Sequence, residues 1–115
     1  ALRVVLTNCP PDRASDIARE LIEARLAACV NRIEGITSTY WWEGEVVEDQ
    51  ESTLLIKTTT SAHAALVDRL RRVHPYDVPE IVTLRPEDVL AAYGAWARDV
   101  TTGPLEVSVG VDEES

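Results

Sequence analysis

The spacing of apolar and polar residues predicts a strand, a helix and two long strands in the first half of the chain. Residues 2–7 are β-rich and contain a continuous apolar run, typical of a buried central strand. Asp12 is a good N-cap for a helix that reaches about residue 26, because apolar side chains recur there at helical spacing. Two long strands are predicted over residues 30–43 and 45–59.

The second half of the chain predicts a helix, a short strand and a third helix. The helix over residues 60–74 is capped by the threonine and serine at its start, and a strand over residues 80–84 follows it. The third helix is predicted from Pro86 to about residue 100, with acidic side chains in its first turn.

The order strand, helix, strand, strand, helix, strand predicts an α+β fold of ferredoxin-like βαββαβ topology. Such a fold has a four-stranded antiparallel sheet with two helices on one face. The third helix is an extra C-terminal element. We expect one domain over residues 1–102 and a C-terminal extension over residues 103–115, made of a short edge strand or disordered chain and an acidic tail.

A rigid polar connector, residues 74–80, is the first candidate for a functional segment. Pro75 and Pro79 each push the preceding residue out of the helical region. The connector carries the imidazole of His74, the phenol of Tyr76 and two carboxylates, and rigidly held loops often carry binding sites. The alternative is that Tyr76 only covers the edge of the core and the prolines only stiffen a loop.

The two long strands predict a hairpin with an aromatic and acidic tip. Glycines predict a bulge or kink near Gly35 and a tight turn at Gly44. Consecutive strand residues point to opposite faces, so Trp41 and Trp42 cannot both enter the core of one subunit. We therefore expect a neighbouring subunit to cover Tyr40, Trp41 and Trp42, since aromatic residues are enriched at interfaces. The alternative is a single indole on the surface.

Composition restricts the partners and the compartment. The net charge of −9 argues against nucleic acid and anionic membranes as partners. We expect neither a membrane span nor a signal peptide, because no long apolar run and no charged-then-apolar leader is present. The two cysteines do not make a disulfide framework, which favours a reducing cytoplasm. Cys29 is expected in the core, whereas Cys9, at a strand exit, is a candidate for an exposed, reactive thiol.

Four segments resemble the CutA divalent-cation tolerance family. They are LAACVN at 26–31, STYWWEG at 38–44, IKT at 56–58 and HPYDVPE at 74–80, and their order and spacing agree over about residues 3–101. The resemblance implies a ferredoxin-like subunit, a tightly packed homotrimer and a role in copper and divalent-cation tolerance without an established reaction.

The resemblance also implies candidate metal ligands. Family members are linked to copper through a cysteine at the first strand exit and a histidine at the end of the second helix. In this chain Cys9 is a shifted candidate for the first position and His74 matches the second, with Glu80 as an additional acid. No closely spaced pair of such ligands is present, so we expect weak binding of copper or another divalent cation and no organic cofactor.

Two other functions remain open at this point. One is a trimeric small-molecule sensor of the PII type, with Lys57 and Tyr76 lining a cleft between subunits; the net charge disfavours an anionic ligand there. The other is an enzyme, for which His74 with Glu80 or Asp77 is the available acid–base set. No nucleophile elbow or phosphate-binding glycine loop is present, so we expect no enzymatic activity.

Overall fold

A computed structural model describes residues 1–102, and the predicted extension at residues 103–115 lies outside the described residues. The elements, in chain order, are β1 (Leu2–Cys9), α1 (Pro11–Glu23), β2 (Cys29–Trp42), β3 (Glu45–Thr59), α2 (Thr60–Val73), β4 (Val82–Leu84) and α3 (Ala91–Val100). The strands form one antiparallel sheet in the order β2-β3-β1-β4. The predicted ferredoxin-like topology with an extra helix is therefore confirmed.

One face of the sheet packs against α1 and α2 to form the core. Val5 of β1 lies opposite Ile56 of β3, and directly opposed residues share a face of the sheet. Both side chains are fully buried in one cluster with Ile17 of α1 and with Leu66 and Leu70 of α2. The apolar sides of the two predicted helices thus cover one face of the sheet.

The other face, which we call the open face, carries exposed apolar side chains. Val82 and Leu84 of β4 lie opposite Leu6 and Val4 of β1. Because Leu6 and Val4 flank the buried Val5 in the strand, these four residues point to the face opposite the core. Val82 is 43% exposed and Leu84 is 47% exposed, although both belong to a sheet strand. Neither α1 nor α2 covers this apolar surface, because both pack on the opposite face.

Helix α3 places an aromatic side chain beside the start of β2. Burial, followed by the electrostatic effect of the neighbouring Cys29, raises the pKa of Tyr93. Cys29 lies opposite Lys57 on the open face and is half-buried. The expectation of a core position for Cys29 is therefore wrong, because the strand begins with this residue pointing away from the core.

Two helix starts differ from the predictions. Helix α1 begins with Pro11 at its first position and Pro10 as the cap, because proline needs no hydrogen-bond acceptor there and Asp12 already lies within the first turn. Helix α2 is capped by Thr59, whose hydroxyl accepts a hydrogen bond from the amide of Ala62 at 3.2 Å. The cap thus lies one residue before the predicted threonine and serine.

The ends of α1 and α3 also differ from the predictions. Helix α1 ends at Glu23 because Arg25, with a φ of 63°, has left the helical conformation. Helix α3 begins at Ala91, five residues after Pro86, so the acidic residues after that proline precede the helix. The chain between β4 and α3 has no regular secondary structure, although its local sequence favours a helix.

The turn and the bulge of the hairpin are confirmed. Glu43 and Gly44 have φ values of 50° and 83°, as two-residue hairpin turns require. The register between β2 and β3 shifts between Ile33 and Ile36, and Gly35 at this bulge has a φ of 72°. The hairpin therefore extends beyond the ends of β1 and β4 and carries the aromatic segment with it.

Candidate functional site

The connector and the outer part of the hairpin enclose a cleft of about 860 Å³. We call it the connector–hairpin cleft. Glu51 shares the open face with Leu55, since the two are separated by an even number of positions along β3. Its lining includes Asn8, Tyr40, Trp42, Asp49, Glu51, Tyr76, Asp77 and Glu80.

His74 begins the connector and is held at both ring nitrogens. Its side chain is buried, at 6% exposure. Nε2 lies 2.9 Å from the backbone carbonyl oxygen of Asn8, and Nδ1 accepts a hydrogen bond from the amide of Tyr76 at 3.2 Å. Burial lowers the pKa of His74, and Arg13 acts in the same direction against the opposing effects of the Asn8 carbonyl and Glu51.

Tyr76 joins the connector to the hairpin. Its hydroxyl donates a hydrogen bond of 2.7 Å to Oε2 of Glu51, a carboxylate that is only 6% exposed. Its ring packs against His74, with the ring centroids 4.9 Å apart. Burial and the contact with Glu51 raise the pKa of Tyr76, so the phenol stays protonated and remains a donor.

Asn8 is a hub of the site that the sequence did not single out. Its amide nitrogen donates to Oε1 of Glu80 at 2.9 Å, and its side-chain oxygen accepts from the hydroxyl of Thr53 at 2.6 Å. With the bond from His74 to its backbone, Asn8 links β1 to β3 and to both ends of the connector. Its position next to Cys9 carried no signal for this role, because its partners lie up to 72 positions away.

The lining of the cleft is acidic and aromatic. Asp49 accepts a hydrogen bond from the hydroxyl of Tyr40, and this contact is the main cause that raises the pKa of Tyr40. Asp77 and Glu80 line the same cleft from the connector. Among the described residues that line the cleft there is no lysine or arginine, so its carboxylates favour a positively charged ligand.

The three predicted metal ligands do not form a metal site within one chain. Cys9 ends β1 with its side chain in the core at 0% exposure, and burial followed by Glu51 raises the pKa of its thiol to about 11. The expectation of an exposed, reactive Cys9 is therefore wrong, because the strand continues to this residue and turns it inward. In residues 1–102 no group of three histidine, cysteine, aspartate or glutamate side chains is placed to hold a metal ion. A thiolate–imidazole copper or zinc shell does not fit this arrangement.

The remaining predicted residues lie in separate places. Tyr76 lines the connector–hairpin cleft, whereas Lys57 lies farther along β3 and donates to the side-chain oxygen of Asn31. Trp41 is 73% exposed and Trp42 is 56% exposed in the single chain. His63 is half-buried, and a ring nitrogen lies 2.7 Å from the hydroxyl of Thr83.

The fold and the cleft define a ferredoxin-like protein with a third helix and an acidic, aromatic binding cleft. The family model described as "CutA1 divalent ion tolerance protein" matches residues 3–100. A relative from Thermus thermophilus, "Divalent-cation tolerance protein CutA", is 52% identical over 99 residues, covering 85% of this chain and 96% of the relative. The chain belongs to the CutA1 divalent ion tolerance family.

Further relatives agree with this assignment. The human "Protein CutA" is 44% identical over 88% of this chain, and the match spans 57% of the human protein. The "PII-like protein CutA" from Nostoc sp. PCC 7120, solved in apo form, is 36% identical with a TM-score of 0.82 and covers 86% of this chain and 96% of that one. The "periplasmic divalent cation tolerance protein CutA" from Archaeoglobus fulgidus is 29% identical with a TM-score of 0.83, covering 88% and 99%. Within residues 1–102, every helix is too short or too polar to span a membrane.

Proposed function

We propose that this protein serves divalent-ion tolerance as a non-enzymatic homotrimer that binds a cation in the connector–hairpin cleft. The observation that carries the proposal is the lining of this cleft, in which Asp49, Glu51, Asp77 and Glu80 are present without a basic side chain among the described residues. The net charge of −9 adds a long-range attraction for cations.

The trimer is supported by the apolar surface that residues 1–102 leave exposed. Ile33, Val82 and Leu84 are between 42% and 47% exposed on the open face, and Trp42 on the hairpin is 56% exposed. Exposed apolar surface marks sites of association where it is extensive, and aromatic residues are enriched in such sites. A neighbouring subunit that covers Tyr40, Trp41 and Trp42 also forms a wall of the cleft, which lies at the same end of the sheet.

The chemistry of the site supports binding rather than catalysis. A thiol with a pKa near 11, as in Cys9, is protonated at neutral pH and is a poor nucleophile. His74 engages both ring nitrogens with backbone groups, so it has no free lone pair with which to act as a general base.

The cation that fits this lining is bound weakly and through oxygen. Glu51 and Asp49 each already accept a hydrogen bond from a tyrosine, and Glu80 accepts one from Asn8. Carboxylates in such networks offer lone pairs to a partly hydrated divalent ion without forming a closed shell. Copper or another divalent cation held in this way is compatible with a role in tolerance.

Calorimetric titration of the assembled protein with copper and zinc tests the proposal. We expect weak binding that falls several-fold in the double variant Asp49→Asn/Glu80→Gln. Asp16→Asn, which removes the same kind of charge from an exposed position on α1, should leave the binding unchanged. Equal heats in the double variant and in the wild type would contradict a cation site in the cleft.

A small-molecule sensor is the second candidate, favoured by the size of the cleft. A volume of about 860 Å³ lies in the range of organic ligand sites and far exceeds the space that one ion needs. The Nostoc relative is described as PII-like, which supports this alternative. Thermal stabilisation by ATP, without stabilisation by copper, would favour the sensor over the cation-binding protein.

We also propose the cytoplasm as the compartment. Cys9 and Cys29 are both free thiols, as expected in a reducing environment. Fractionation of cells that produce the protein tests this assignment, and recovery outside the cytoplasmic fraction would overturn it.

A further inference from the structure

The hydrogen bonds of His74 define the position of its ring proton. A carbonyl oxygen can only accept, so Nε2 must carry the hydrogen that faces the backbone oxygen of Asn8. A backbone amide can only donate, so Nδ1 must offer its lone pair to the amide of Tyr76. The ring is therefore neutral and has the Nε2–H tautomer.

This arrangement leaves no nitrogen of His74 for a metal ion. Coordination through Nδ1 would break the bond with the Tyr76 amide, and coordination through Nε2 would move the proton to Nδ1, where it would face that same amide hydrogen. Either event leaves a buried backbone group without its partner, since the residue is only 6% exposed. The thiol of Cys9, the other candidate ligand from the end of β1, lies in the core.

The same bonds determine where Tyr76 lies. The ring of His74 ties the end of β1 to the first turn of the connector, and its tilted contact with the Tyr76 ring has a centroid distance of 4.9 Å. The amide bond and the ring contact together direct the phenol toward Glu51, where it donates at 2.7 Å. The wall of the connector–hairpin cleft therefore depends on the tautomer of His74.

We infer that His74 is a positioning residue and not a metal ligand: its Nε2–H ring holds the connector on β1 and directs Tyr76 at Glu51, and divalent cations bind this protein without contacting the ring. This role differs from the ligand role that the family resemblance implies for His74. It goes beyond the proposed function, because it holds for a cleft that binds a metal ion and for one that binds an organic ligand.

Nitrogen-15 NMR of the histidine rings, recorded on the full chain with and without zinc, tests the inference. The chain has two histidines, so His63→Gln assigns the His74 signals by elimination. At neutral pH we expect the pattern of an Nε2–H tautomer for His74, retained in excess zinc. An Nδ1–H pattern, or a coordination shift of either His74 nitrogen at equimolar zinc, would overturn the inference.

A pair of substitutions separates positioning from ligation. The Oδ1 atom of His74→Asn lies near the place of Nδ1 and can accept from the Tyr76 amide, whereas His74→Leu keeps the bulk without an acceptor. We expect zinc affinity within about twofold of the wild type for the asparagine variant. We also expect the nuclear Overhauser signals between the Tyr76 ring and the Glu51 side chain to be retained in the asparagine variant and lost in the leucine variant.

The outcomes distinguish this inference from the proposed function. A tenfold loss of zinc affinity in His74→Asn with unchanged Tyr76 signals would show that the ring is a ligand. If the wild type binds no zinc, the proposed cation site fails, while the tautomer and the comparison of the variants still decide the role of His74. If His74→Leu does not fold, the tautomer in the wild type and the signals of the asparagine variant decide it.

Discussion

At the scale of single residues, Glu51 has the least expected environment. A glutamate on the outer part of a hairpin is expected in water, yet Glu51 is 6% exposed and accepts a hydrogen bond from Tyr76. Carboxylates are rarely buried without a partner, because the loss of hydration must be offset by hydrogen bonds. The contact between Glu51 and Tyr76 therefore matters more to stability than its place at the edge of the protein suggests.

Tyr76→Phe should destabilise the protein by about 1–3 kcal/mol, because the nearly buried Glu51 loses a hydrogen-bond donor. Tyr40→Phe is the matched control: it also removes a tyrosine–carboxylate bond, but Tyr40 is 38% exposed, and its substitution should cost no more than about 0.5 kcal/mol. Urea unfolding at one fixed protein concentration measures both, and equal losses in the two variants would contradict the importance given to Glu51.

The histidines make stability depend on pH in a definite direction. Burial lowers the pKa of His74, and burial followed by Arg3 lowers the pKa of His63. As the pH decreases, the unfolded chain therefore takes up protons before the folded chain does. The contribution of the histidines to the free energy of unfolding is fully present above a pH of about 6.5, and it is lost as the pH decreases through the pKa values of the folded state. The groups that face His74 are Glu51 on β3 and Arg13 on α1, and they act in opposite directions.

Unfolding free energies measured between about pH 7 and pH 5 test this linkage. We expect the wild type to lose stability over this range, and His74→Asn and His63→Gln each to reduce the slope. The substitutions also change the absolute stability, so the slope is the quantity compared. A free energy of unfolding of the wild type that rises toward acid pH would contradict this linkage.

At the scale of elements, the bulge in β2 shapes the hairpin. One extra residue between Ile33 and Ile36 shifts the register, and Gly35 adopts a positive φ there. From this point outward the even-numbered residues of β2 lie opposite the odd-numbered residues of β3, which places Tyr40 near Asp49 on the open face. The bulge thus determines which aromatic residues line the cleft.

Gly35→Ala should cost about 1 kcal/mol, because a side chain disfavours the positive φ of 72° even though an added Cβ would meet no atom within 4 Å. Gly94→Ala is the matched control in α3: its added Cβ would meet Val89 at an ordinary 3.7 Å, and it should stabilise the protein by about 0.5–1 kcal/mol. Thermal unfolding of both variants measures the difference, and a stabilising Gly35→Ala would refute the strain argument.

At the scale of the whole molecule, residues 1–102 leave part of the open face exposed. Ile33, Val82 and Leu84 are exposed there, and both indoles of the hairpin are exposed as well. A second layer of structure normally covers an apolar sheet face. Copies of the same chain are the partners that we propose, arranged as a closed trimer.

Leu84→Lys and Trp42→Ala should each weaken the trimer, because one places a charge in the apolar face and the other removes a large exposed aromatic surface. Ile22→Ala is the matched control: Ile22 is 38% exposed on α1, on the opposite side of the sheet, and its substitution should leave the assembly intact. Sedimentation velocity at micromolar concentration distinguishes them. A wild-type protein that sediments as one chain would refute the trimer itself.

Much of the fold was predictable from local patterns. Apolar spacing predicted both core helices, two long strands were predicted between them, and the glycines at positions 35 and 44 marked the bulge and the turn, all of which the structure confirms. The start of α3 was not predictable, because residues 85–90 favour a helix locally but run irregularly. The connector was predictable as a segment, since two prolines exclude a helix there.

The sequence by itself determined the order of the elements and the segment in which to look for the site, because helical spacing, alternation and proline act over a few residues. Only the tertiary structure decided the chemistry of the site. The bond between Tyr76 and Glu51 joins residues 25 positions apart, and the bond between His74 and Asn8 joins residues 66 positions apart. Both depend on the register of β1 with β3 and on the path of the connector, and so does the burial of Cys9, which local patterns do not encode.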